Sequence, residues 1–108
     1  MTGDPNEVGA ERVGAHAQVS TDAPARYAKQ LTSHFGRKTT VEELPDGYRI
    51  RLGDGDADVL VRPNHLLLRA GAPSLNALAT VQRVIGGHLE RFGQPAELDV
   101  EWSAPGDA

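Results

Sequence analysis

Cysteine is absent from the chain. That excludes disulfides, thiolate metal sites and cysteine nucleophiles. Aromatics are scarce: one Trp, two Tyr and two Phe. The core must therefore come mainly from Leu, Val, Ile and Ala. No apolar run approaches the roughly 20 residues that a membrane-spanning helix needs. No basic patch stands out either. The net charge is −4 and the cationic residues are scattered, which argues against a nucleic-acid surface. The opening MTGDPNEVGAERVG carries acids and lacks an apolar h-region, so it is not read as a signal peptide, and the default compartment is the cytoplasm. A chain of 108 residues has room for one domain.

What is present begins with Ser74–Gly93, SLNALATVQRVIGGHLERFG. Leu75, Leu78, Val81, Ile85, Leu89 and Phe92 recur at steps of three and four, which predicts an amphipathic helix with one apolar stripe. Ser74 is the expected N-cap, and Gly93 the expected stop. A second helix is expected after Thr21 and Asp22 as caps, with Pro24 in its first turn. Tyr27, Ala28, Leu31 and Phe35 form its stripe, and Gly36 ends it. His34 falls on or beside that stripe.

The remainder reads as sheet. Ala15–Ser20 alternates Ala15, Ala17 and Val19 against His16, Gln18 and Ser20. Thr40–Leu44 and Tyr48–Leu52 flank Pro45-Asp46-Gly47, a hairpin signal. Further turns at residues 53–56 and at Pro63-Asn64 lead to strands at Ala57–Arg62 and His65–Ala70. Ala96–Ser103 alternates Leu98, Val100 and Trp102 against acids, which predicts a last one-sided strand. The expected architecture is an α+β two-layer sandwich of order β-α-β-β-β-β-α-β, a mainly antiparallel sheet with both helices on one face. Residues 1–13 and 104–108 are expected as flexible tails around a domain at 14–103.

His34 and His88 carry the sharpest chemical reading. Each lies near the C-terminal end of a helix and close to its apolar stripe. Two helices on one sheet could bring them together, and paired neutral imidazoles bind a transition metal or haem iron. Tyr27, on the stripe of His34, and Gly86-Gly87, directly before His88, complete the candidate ligand-binding set of Tyr27, His34, Gly86, Gly87 and His88. Asp22 and Glu90 are carboxylates that the spacing does not select. The plainer reading ranks first: a histidine at a helix C-terminus meets exposed carbonyls or snorkels from the core rim. Gly86-Gly87 has a bland reading as close packing or a slight kink, and a sharper one as bare backbone for a planar ligand or partner helix.

Asp54, Asp56 and Asp58 form a D-x-D-x-D run. An EF-hand would place Gly and Glu where Val59 and His65 stand, so an ordinary acidic turn is expected. Arg49, Arg51, Arg62 and Arg69 alternate along strands; a solvated face is favoured over an anion site. The serines lack a nucleophile-elbow context.

Thr21-Asp22-Ala23-Pro24-Ala25-Arg26-Tyr27, Lys29-Gln30-Leu31, His34-Phe35 and Lys38 recur together with His88-Leu89-Glu90-Arg91-Phe92 and Leu98-Asp99-Val100-Glu101-Trp102. In combination they resemble the bacterial domain of unknown function 2218 over about residues 14–103. Where relatives carry a second histidine just before the lysine matching Lys38, this chain has Arg37, so no ligand role is carried to that position. The resemblance implies a lean toward iron or siderophore handling, with a siderophore-interacting flavoprotein or a small ligand as partner, and it brings no catalytic residues. Three hypotheses result. First is a non-catalytic accessory or binding domain, as a monomer or homodimer. Second is a metal- or haem-binding protein using His34 and His88. Third is a small enzyme with a histidine acid/base, ranked last because no nucleophile or paired carboxylate accompanies it.

Overall fold

Period-two alternation and tight turns dictate the sheet. In the computed structural model, which describes residues 12–92 and 98–107, the strands are β1 (Val13–Ser20), β2 (Val41–Leu44), β3 (Gly47–Leu52), β4 (Gly55–Val61), β5 (His65–Ala72) and β6 (Gly106–Asp107). The helices are α1 (Pro24–Phe35) and α2 (Leu75–Phe92). The six strands form one antiparallel sheet of order β2-β3-β4-β5-β1-β6. Strands β2 to β5 are the expected meander. Strand β1 then lies along β5, paired from Val13↔Ala72 to Ser20↔His65.

Two glycines make the hairpins close. A Cβ on Gly47 would lie 2.1 Å from the Val59 carbonyl oxygen on β4, so the strand after Pro45-Asp46 can approach only without a side chain. Gly53, between paired Leu52 and Gly55, has φ +62°, a left-handed turn conformation that glycine adopts without steric cost.

Both helices lie over the same strands, α1 against β3, β4 and β5 and α2 against β5, β4 and β1. Alternation aims Ala15, Ala17 and Val19 of β1, Ile50 of β3, Ala57 and Val59 of β4, and Leu66 and Leu68 of β5 at them, all buried. The helices answer with Leu31, Leu78, Ile85 and Leu89, each fully buried. Each such side chain is worth about 1.5–3 kcal/mol relative to exposure. The α+β class, the element order and the shared helix face are as the sequence predicts.

Several local expectations differ. Leu75 is 60% exposed; the first turn of α2 stands clear of the sheet, and its buried stripe begins at Leu78. Ser74 does cap α2, its Oγ accepting the Ala77 N–H at 3.1 Å. On α1 the N-cap is Ala23, with no side-chain cap bond. Thr21 Oγ1 accepts the Ala23 N–H instead, at 3.1 Å, and so braces the turn before the helix. Gly36 stays right-handed at φ −61°. It is nevertheless the C-cap, as expected, its N–H donating to the Thr32 carbonyl at 2.8 Å, and the Lys38 and Thr39 N–H groups then close the turn by both donating to the Phe35 carbonyl at 2.9 Å.

The last strand differs most. Residues 98–105 form no ladder among the described residues, and β6 comes later, pairing Gly106 with Gly14 and Asp107 with Val13. Leu98, Val100 and Trp102 do turn inward, packed on the core. They pack beside α2, however, and the Val100 N–H donates to the Glu90 carboxylate at 3.0 Å. Alternating polarity reports which side is buried; it does not report what the backbone pairs with. Ser103 then hooks the segment to β1: its N–H donates to the His16 carbonyl at 2.8 Å, and its Oγ accepts the His16 N–H at 3.0 Å. Residues 1–11 and the expected stop at Gly93 lie outside the described residues.

Candidate functional site

The end of the helix layer is built from the last turn of α1 and the last turns of α2. The apolar stripe of α1 seats Phe35 in the core at 5% exposure, which leaves His34 at the rim, half-buried. On α2, Ile85 and Leu89 face the sheet, and His88 between them turns toward α1. The two imidazole centroids are 4.6 Å apart with ring planes at 42°. Phe35 lies 5.0 Å from His34 and 5.1 Å from His88, and Phe92 lies 5.8 Å from His34 and 6.1 Å from His88, all edge-on. Edge-to-face contacts of this kind add about 0.5–1.5 kcal/mol each beyond area burial.

The His88 Nδ1 lies 2.7 Å from the Val84 carbonyl oxygen, one turn back. A carbonyl can only accept, so Nδ1 carries the proton. In the neutral ring this leaves the lone pair on Nε2, the arrangement seen when a histidine is held ready as a ligand. Desolvation pushes the His34 pKa below its ordinary value, and the neighbouring His88, Lys38, Arg37 and Arg91 push it the same way. Both effects favour the uncharged form of the ring.

The other expected site residues separate from this pair. Tyr27 is buried in the core, seven residues before His34 and so about 10 Å down the helix axis. Gly86 is buried under the C-terminal segment: a Cβ there would lie 3.1 Å from Trp102 Nε1 and 3.4 Å from Val100 Cγ1. The bare backbone is thus occupied by the chain's own indole. Gly87 faces open space. Glu90 is engaged with Val100, and no group of three or more His, Cys, Asp or Glu that could hold an ion occurs among the described residues. Two surface clefts, of about 410 Å³ beside Gly86 and Trp102 and about 760 Å³ on the sheet between Arg12 and Arg69, lie away from the imidazoles. Both imidazoles are half-buried.

Sequence reasoning missed the rim. Arg37 and Lys38 follow α1 directly, and Arg91 stands one turn past His88, where (i, i+3) side chains are neighbours. All three are exposed, and none forms an ion pair among the described residues. The spacing of Arg91 from His88 was the available signal.

The sheet's other face is arranged differently. In register across it run His16, Arg69, Asp58, Arg49 and Glu42. Arg49 grips Asp58 through Nε at 2.7 Å and its terminal nitrogen at 3.1 Å. Arg51 reaches Glu42 at 3.1 Å, Arg62 reaches Asp46 at 2.7 Å, and Arg12 reaches Asp56 at 3.4 Å. Two members of the acidic run, Asp56 and Asp58, thus neutralise arginines.

The chain matches the family model described as "Uncharacterized protein conserved in bacteria (DUF2218)" over residues 16–103. It is similar to the protein of the "NMR structure of PA4090 from Pseudomonas aeruginosa", at 32% identity and TM-score 0.67, covering 86% of this chain and 95% of that one. No curated protein matches.

Proposed function

The chain belongs to this bacterial family of uncharacterised conserved proteins, and on that premise we propose that it is a non-catalytic binding domain whose ligand point is the His34–His88 pair, taking a first-row transition-metal ion. The observation that carries the reading is the 4.6 Å separation of the two rings. With metal–nitrogen bonds near 2.1 Å, two imidazoles on one ion have centroids about 4.5 Å apart at a right-angle geometry and about 5.2 Å apart at a tetrahedral one. Two axial imidazoles on one haem would need about 6.4 Å, so the haem alternative fits this pair poorly. A histidine enzyme fits less well, because neither imidazole hydrogen-bonds a nucleophile or a carboxylic acid among the described residues.

Titration with Zn(II), Fe(II) and haem, followed on the His34 and His88 ring resonances, tests the reading. Zn(II) or Fe(II) should shift or broaden both together, and His34→Ala should abolish the response. Silence up to millimolar metal would end the proposal. The lean toward iron or siderophore handling rests on the family resemblance alone and adds no residue to the site. Its test is a pull-down with a flavin-dependent ferric-siderophore reductase, in which absence of a complex counts against that partner.

A further inference from the structure

The larger cleft, of about 760 Å³ on the open sheet face, is bordered by Arg12, His16 and Arg69. The pairing of these two arginines is unlike that of their neighbours. Arg49 holds both oxygens of Asp58 in a fork, at 2.7 and 3.1 Å. Asp58 is also the carboxylate in register with Arg69. Arg69 therefore has no ion-pair partner among the described residues, and its other register neighbour, His16, brings no acid. Arg12 is held loosely: both of its terminal nitrogens reach the same Asp56 oxygen at 3.4 Å, well beyond the usual charge-assisted length of about 2.7–2.9 Å. Two guanidinium groups thus border the cleft with donors to spare.

Between them the floor is backbone. Gly71, Gly14 and Gly106 pair in one row across β5, β1 and β6. Strands lie about 4.8 Å apart, so the row gives a bare strip roughly 10 Å wide. The Arg12 guanidinium reaches over one end, since a Cβ on Gly71 would lie 3.3 Å from its Nη2. Arg69 stands two residues along β5, about 7 Å from Gly71. A flat group can rest on backbone at close approach, and a guanidinium takes a carboxylate through two parallel N–H bonds. Asp56 and Asp107 also line the cleft. They oppose a second negative charge, which sets a monocarboxylate above a phosphate monoester, whose charge is close to −2.

We infer that this cleft binds a small planar monocarboxylate, with its ring on Gly14, Gly71 and Gly106 and its carboxylate between Arg69 and Arg12. The cleft is on the face opposite the imidazole pair and needs no metal.

The test is titration of the full chain, free of metal, with benzoate, followed on backbone amide resonances. Benzoate should shift the Gly14, Gly71 and Gly106 amides together and saturably. Benzamide, which keeps the shape and lacks the charge, and acetate, which keeps the charge and lacks the ring, should each bind at least about tenfold more weakly. Arg69→Gln should weaken benzoate about tenfold. Arg51→Gln, whose charge already meets Glu42 at 3.1 Å, should leave it unchanged. Gly106→Leu is the second variant. A Cβ there meets nothing within 4 Å, so the fold has room for the side chain, and benzoate binding should disappear while the rest of the amide spectrum is kept. The inference is overturned by the absence of a saturable shift up to about 10 mM benzoate, or by benzamide or acetate binding as tightly as benzoate. Tighter binding of phenyl phosphate would overturn it too, by assigning the cleft to phosphate esters. None of these outcomes bears on the metal titration of His34 and His88.

Discussion

The two sides of this domain treat charge in opposite ways. On the open sheet face every arginine but Arg69 sits within reach of a carboxylate, and all four ion pairs of the described residues lie there. Across residues 22–38 and 75–92, which make up the helix layer and its adjoining turns, there are six cations and two carboxylates, and none of the cations is paired among the described residues. The chain as a whole is net −4, so this positive layer goes against its own background. The difference teaches where binding chemistry is to be sought. Cross-strand register makes ion pairs almost unavoidable on a ladder, and a paired charge is already used. A cation that has no ion-pair partner among the described residues, beside two imidazoles, is available to something else.

Mutations can break or sharpen that contrast. The largest effect is expected from Ile85→Ala, which removes the seat of α2 and with it the geometry of the helix end. Stability measured by urea unfolding should fall by about 3 kcal/mol, with both imidazole resonances shifting. Trp102→Ala uncovers Gly86 and should lower stability by about 2 kcal/mol while leaving the sheet-face ion pairs in place; unchanged stability would mean that the C-terminal segment is not holding α2. On the paired face, Asp58→Ala strands Arg49 and should reduce stability by about 1 kcal/mol. Arg91→Gln removes a charge that has no ion-pair partner among the described residues, so stability should stay within about 0.5 kcal/mol or rise slightly. A clear loss there would erase the difference between the two sides. The smallest effect is the pH response. His34 binds its proton more weakly in the folded state than in the unfolded chain, so stability is fully present above the ordinary histidine pKa of about 6.5 and declines as pH falls below it. The variant His34→Gln should lack that part of the slope.

Much of this molecule was legible in its amino acids because the signals were local. Pro45-Asp46-Gly47 and the alternation of Tyr48, Ile50 and Leu52 specify a hairpin without reference to the rest of the chain. The stripe from Leu78 to Leu89 specifies a helix in the same way. Leu75 was misjudged because periodicity cannot show how far a helix overhangs its sheet. The closing segment was misread because Leu98, Val100 and Trp102 alternate equally well beside a helix flank. The position of β1 next to β5 is a matter of long-range pairing, on which turn chemistry is silent. At the helix end the proximity of His34 and His88 followed from stripe logic. That Arg37, Lys38 and Arg91 stand without acids among the described residues did not, since charge on exposed positions looks the same whether or not an acid faces it.

The contact between Gly86 and Trp102 has a practical corollary. Because this is the chain's single indole, its fluorescence is a built-in optical gauge of one joint, where the closing segment clasps the second helix. Emission would report that clasp, whereas far-ultraviolet dichroism reports the whole backbone. A red shift arriving at lower denaturant than the dichroic transition would mark the clasp as the first piece of the molecule to let go.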